Sequence, residues 1–334
     1  MLKVIPPFEF VSENQAVEFL LENYFSPHFS LKQKVYYKFL RKLIPINVRQ
    51  QIQEKTYSSI KYKESFIDSE LVDVLKTHPE FEKSVKHFYP DGARSALVLT
   101  HDVEEEEGFN YIPKILDLEE GLGLRSSWNI VPYKYKIDEG IIREIQSRGF
   151  EIGIHGYNHD GKLYFSEKIF NERVPYINSA IKKYGAVGFR SPMVHRNLTW
   201  LQRLDVEYDA SCFDYDAFQP FSGGTKSIWP FIAGKFVELP YTIPQDHTLF
   251  YSLKQINPNL WIEKTKWVYD NFGTILVLTH PDYLINKEHL SVYTEYLQYL
   301  KGLDSVWHGL PRELAARWKM LFSPKNDLSN PKSL

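Results

Sequence analysis

His155 and His159 stand four residues apart, and Asp102 and Glu104 two apart. On one helical turn the histidine spacing sets both imidazoles on the same side, which suits a tetrahedral metal ion. In extended backbone residues i and i+2 point the same way, so both carboxylates can face one cation. Each pair also has a plainer reading. The histidines can be an accident of a helix surface, and the carboxylates a solvated acidic loop, which Glu105, Glu106 and Glu107 fit well. Arg190 alone reads equally as a structural ion-pair partner, and His280 alone as a capping or core histidine. Placement argues against accident. Thr100-His101-Asp102-Val103-Glu104, His155 to His159, Gly188-Phe189-Arg190-Ser191-Pro192, Tyr208-Asp209-Ala210-Ser211 and Leu278-Thr279-His280-Pro281-Asp282 each close a short stretch that reads as a strand.

From about residue 94 such strands alternate with helical stretches. "SALVLTHD", "RSSWNIVP", "FEIGIHG", "AVGFRSP", "VELPYTI" and "TILVLTHPDYL" read as strands. Between them lie helices with recognisable starts and stops, such as "DEGIIREIQSRG", and one, "SEKIFNERVPYINSAIKKYG", expected to kink or restart at Pro175. Alternation of this kind implies parallel strands joined by crossovers, hence a βα barrel or a doubly wound sheet. In a barrel the C-terminal strand ends share one face, where the polar clusters would meet. Residues 1–90 differ: basic amphipathic and other helical patterns predict a helical N-terminal extension. The barrel would then span 91–322, with a C-terminal tail at 323–334.

Composition sets bounds. The chain has 334 residues, 43% hydrophobic and 25% charged, ordinary values for a soluble globular protein. A formal charge of -2 points to neither nucleic acid nor an acidic substrate. The single cysteine, Cys212, excludes an internal disulfide and favours a reducing compartment. The first residues show no leader pattern, and no apolar run reaches the roughly 18 residues of a membrane span. A cytoplasmic location is the expectation.

The ordered clusters resemble the polysaccharide deacetylase family, also called carbohydrate esterase family four or the NodB homology domain. Its five motifs lie on a distorted (β/α) barrel. Thr100-His101-Asp102-Val103 stands where the family usually has Thr-Phe-Asp-Asp. His155 to His159 matches its His-x-x-x-His, Arg190-Ser191-Pro192 its Arg-x-Pro, and Leu278-Thr279-His280 its Leu-x-His. Asp209-Ala210-Ser211 looks like a less typical fourth motif, and "SVWHGLPRELAARW" like the closing element. The resemblance covers roughly residues 90–320. It implies an α/β fold, a distorted (β/α) barrel of about seven parallel strands, carrying a metal-dependent N-deacetylase of a sugar or glycan.

The same resemblance implies roles. Asp102 would be the base, His280 the acid, Arg190 the group that keeps Asp102 ionised, and Asp209 the residue that orients His280. Glu104, His155 and His159 would hold one divalent ion, zinc being the first expectation. The position that usually carries the second Asp is Val103, so the carboxylate two residues on takes its place. The exchange of roles between Asp102 and Glu104 stays open. Ser191, Pro192, Trp229 and Asp246 are candidates for substrate contact. The aromatic run from Phe213 to Phe231 could stack on sugar rings or pack as a covering loop. Rival functions are an allantoinase-like ureide amidohydrolase and a catalytically silent glycan-binding protein. Residues 30–55 are basic on one side and apolar on the other. They could dock on an anionic inner membrane face or pack on the barrel.

Overall fold

The computed structural model describes residues 2–12, 35, 48, 66–219 and 224–323. Over these residues one curled sheet of ten strands is packed against helices. The strands are β1 (Val4–Ile5), β2 (Ser95–Val103), β3 (Ser126–Ile130), β4 (Glu151–His155), β5 (Gly188–Arg190), β6 (Tyr208–Asp209), β7 (Phe231–Ala233), β8 (Phe236–Glu238), β9 (Thr274–Thr279) and β10 (Val306–His308). Seven form a parallel row in the order β9-β2-β3-β4-β5-β6-β8, as the alternation of strands and helices predicts, and β10 pairs parallel with the start of β2. Past β8 the backbone N–H groups of Thr242 and Ile243 donate to the Leu276 carbonyl in β9, at 3.1 and 3.2 Å. That contact brings the two ends of the row together. The sheet is therefore a distorted barrel and not an open doubly wound sheet.

The central strands read as apolar runs because both their faces are covered. All nine residues of β2 and all six of β9 are buried. The helices that follow start where their caps predict. Asp138 accepts from the Gly140 N–H at 2.6 Å, Ser166 from Ile169 at 3.2 Å and Asn197 from Trp200 at 3.0 Å. The helix Glu167–Tyr184 runs through Pro175 without restarting. Asn171 and Pro175 both lie on its exposed side, so water can take the carbonyl that the missing N–H leaves free.

The start of the chain is a strand, not a helix. β1 pairs antiparallel with β7, and Phe8 then packs edge-on to Trp229, with centroids 5.0 Å apart, and against Phe81 and Phe88. Two short helices, Glu70–Lys76 and Phe81–Val85, precede the barrel. The basic stretch 30–55 lies outside the described residues apart from Val35 and Val48, and the tail lies outside them beyond Ser323. Among the described residues no helix is long and apolar enough to cross a membrane.

Candidate active site

Parallel pairing brings four of the predicted clusters to one edge. The register sets Asp102 beside Asn129, His155 beside Arg190, and His101 beside Thr279, one residue before His280. Asp102 Oδ1 accepts from Asn129 Nδ2 at 2.8 Å and from Arg190 Nη1 at 3.2 Å. Its Oδ2 lies 3.6 Å from His155 Nδ1. Arg190 is fully buried and fixed by the Ala210 carbonyl at 2.7 Å and Thr100 Oγ1 at 2.8 Å. Burial alone would raise the Asp102 carboxyl. His155, the Arg190 guanidinium and His280 beside it, with the Asn129 hydrogen bond, outweigh it and hold the group below its ordinary range. The ion pair expected between Arg190 and Asp102 is thus present.

Glu104, His155 and His159 offer one ligand atom each, all within 4.8 Å of one another. Glu104 Oε1 is 2.8 Å from His159 Nε2 and 3.9 Å from His155 Nε2. Burial acts to raise Glu104, but the three surrounding imidazoles push it well below the usual range. Burial lowers His159, favouring the neutral imidazole that can ligate. His155 Nδ1 donates to the Arg190 carbonyl at 3.1 Å, which leaves Nε2 toward the site, and that atom is buried with no hydrogen-bond partner among the described residues. A divalent ion beside Glu104 and His159 would satisfy it, so the residues fit a metal.

The histidines do not share a helical turn. His155 ends β4, and the chain then turns through Gly156 (φ +69°) to His159, itself left-handed at φ +56°. A Cβ on Gly156 would stand 2.3 Å from Pro192 Cγ, so the turn needs glycine. Pro192 packs on this turn and lines a small cleft with Tyr157, His159 and His195.

His280 follows β9, and its partner is not Asp209. Asp246 Oδ1 lies 2.6 Å from His280 Nδ1. Burial opposes the charge on the imidazole, but Asp246, Glu104 and Asp102 raise it to about 10. His280 Nε2 is left facing the site, 3.8 Å from Glu104 Oε1. Asp209 instead accepts from the Ser211 hydroxyl at 2.7 Å and N–H at 3.2 Å, and sits across from Glu238, because β6 and β8 pair in that register. Burial raises both of these carboxyls.

Other residues expected to contact substrate are committed to protein partners. Asp246 is enclosed and serves His280. Ser191 is buried, its N–H given to Ser211 Oγ at 2.9 Å and its hydroxyl bonded to Tyr164. Trp229 is buried against Phe8 and Phe81, with its N–H donated to the Phe272 carbonyl at 2.8 Å. Phe213, Phe218 and Phe231 are core residues too and Tyr215 is half-buried, so the described part of the aromatic run is packing; Phe221 lies outside the described residues. Asn129 was not anticipated. Its only sequence signal is a polar residue near the end of an apolar strand.

No family model matches the chain, and no curated protein matches it. Solved structures do. One described as a polysaccharide deacetylase from Mycobacterium smegmatis superposes with a TM-score of 0.58 at 19% identity, over 70% of this chain and 92% of its own. Another so described, from Pseudomonas aeruginosa PAO1, gives 0.56 at 16%, over 70% and 94%. The fold is that of the polysaccharide deacetylases. An allantoinase has it as well, with a TM-score of 0.53 at 15% identity, over 78% of this chain and 98% of its own. Within the polysaccharide deacetylase fold, the ends of β2, β4, β5 and β9 carry every group of the site except Asn129 and Asp246.

Proposed function

We propose that the protein is a metal-dependent hydrolase that removes the acetyl group from an N-acetylated amino sugar or glycan. The observation that carries the proposal is one compact constellation. A three-ligand set, Glu104, His155 and His159, adjoins a carboxylate held by arginine and a histidine held by aspartate. The deacetylases that share the fold support the substrate class. Zinc is the expected ion, since two imidazoles and one carboxylate leave a position open in a tetrahedral site.

A bound divalent ion would polarise the amide carbonyl and make water acidic enough to attack near neutral pH. The residues divide the proton work. Asp102 Oδ1 is engaged by Asn129 and Arg190, so Oδ2 is the oxygen free to take the proton of the attacking water. His280 keeps its Nδ1 proton on Asp246 and delivers the Nε2 proton to the leaving amine as the C–N bond breaks. Acetate and a free amino sugar result. A base held low and an acid held high suit the two tasks.

The test is element analysis of protein purified without chelator, together with acetate release from N-acetylated oligosaccharides. Protein that takes up no zinc, cobalt or nickel overturns the proposal. The allantoinase among the fold's members favours ureide hydrolysis as the second reading, and turnover of allantoin with no acetate release would select it. Metal binding with neither activity would select a silent binder. A cytoplasmic setting is part of the same proposal, and residues 30–55 are read as packing on the barrel, with docking on an anionic inner membrane face as the alternative. Failure to co-sediment with anionic vesicles at low salt removes the docking.

A further inference from the structure

Asp282 lies two residues past the proposed acid, and its carboxylate is spent on backbone far away in sequence. Oδ2 accepts the Glu104 N–H at 2.9 Å, and Oδ1 accepts those of Glu105 at 3.0 Å and Gly108 at 3.2 Å. These donors open the helix α1 (Glu106–Gly121), whose own N-cap residue, Glu105, makes no side-chain cap. Asp282 therefore supplies across the fold what a capping side chain supplies locally, with its negative charge at the positive end of the helix. The approach is close: a Cβ on Gly108 would fall 2.3 Å from Asp282 Oδ1.

The consequence concerns Glu104. It is the first residue beyond β2, so the sheet ladder ends before it. The peptide joining Val103 to Glu104 is instead gripped by two side chains. Tyr135 donates its hydroxyl to the Val103 carbonyl at 2.8 Å, and Asp282 takes the Glu104 N–H. With both polar groups of that peptide engaged, the Glu104 side chain leaves the backbone in one direction, toward His155 and His159. We propose that Asp282, with the Tyr135 hydroxyl, is a clamp that positions Glu104 as a metal ligand. The clamp lets a carboxylate displaced by one residue from the family's usual position still complete the site. The proposal rests on the reading of Glu104 as a ligand. It makes Asp282 a positioning residue, distinct from the groups that touch substrate.

Zinc affinity, measured in competition with a chromophoric chelator on full-length protein, tests it without any turnover. Loss of an outer group that orients a ligand typically weakens metal binding by about 10- to 100-fold, and that is expected for Asp282→Asn. The cobalt-substituted protein should also change its absorption spectrum. A mere helix cap would lower the melting temperature and leave zinc affinity and the cobalt spectrum as they were, which overturns the proposal. Tyr135→Phe removes only the hydroxyl and should weaken zinc binding in the same direction. Should Asp282→Asn fail to fold, unchanged affinity in Tyr135→Phe overturns the clamp. Wild-type protein that binds no zinc overturns the metal reading and the clamp together, whereas equal binding by wild type and both variants overturns the clamp alone.

Discussion

Asp246 holds His280 twice: Oδ1 lies 2.6 Å from the ring nitrogen Nδ1, and Oδ2 accepts the backbone N–H of the same residue at 2.6 Å. The His247 N–H, donating to Oδ1 at 2.8 Å, steadies the carboxylate in turn. One acid thus fixes the position, the tautomer and the charge of the imidazole.

Asp246→Asn should therefore lower kcat about 100-fold or more while leaving KM and zinc content near wild type, the size expected for a disabled general acid. The alkaline limb of the pH–rate profile should move to lower pH, because the imidazolium loses its counter-charge. Steady-state kinetics from pH 5 to 10 checks both. Asp209→Asn should leave that limb in place, and a shift there would return the orienting role to Asp209.

Asp102 and Glu104 should separate in a metal assay. Asp102→Asn is expected to abolish turnover with zinc retained, since the three ligand atoms are untouched. Glu104→Gln should weaken zinc binding and make activity depend on added metal. Zinc titration of both variants decides. An empty site in Asp102→Asn with full occupancy in Glu104→Gln would exchange the two roles.

Trp229→Ala should cost about 3–5 kcal/mol of stability, as emptying a packed aromatic site does. Below the melting transition its specific activity should be unchanged, because the ring faces Phe8 and Phe81 and not the histidines. Denaturant unfolding and activity on one preparation test this, and a stable variant with raised KM would put Trp229 back among the substrate contacts.

Glu151 gives the pH dependence of stability a sign. Burial outweighs its hydrogen bonds from Tyr208 (2.6 Å) and the Arg312 N–H (3.1 Å), and raises the carboxyl to about 7. Below the unfolded value, near 4.5, both states are protonated and no penalty exists. Between there and pH 7 the unfolded chain releases its proton first, so stability falls as pH rises, by about 3 kcal/mol at most. Glu151→Gln should flatten urea-unfolding free energies across that window. A dependence as steep as wild type's would assign it to other groups.

Much of the site was legible because parallel strands deliver their ends to one edge, so that Asp102, His155, Arg190 and His280 needed only strand assignments to be brought together. The i, i+4 spacing of the histidines suggests a shared helical turn, and the structure has none there. The spacing works here through a strand end, a glycine turn and a left-handed His159, which no periodicity reports. From sequence Asp246 reads only as a contact candidate, because its partner lies 34 residues away and the segment after β8 has no regular pattern. Aromatic composition could not tell a sugar platform from a core, since Trp229 is covered by Phe8 from the far end of the chain.

β2 is paired on one side by β3 and on the other by β9, whose Thr279 meets His101 across 178 residues of chain. At a synthesis rate of about 5–20 residues per second, the proposed acid leaves the ribosome roughly ten to forty seconds after the proposed base. During that interval a nine-residue strand buried in the finished protein has one edge without its partner, the kind of edge that invites pairing with another chain. A nascent chain halted between His159 and Thr274 would carry all three candidate ligands, yet neither the acid nor the strand that shields β2.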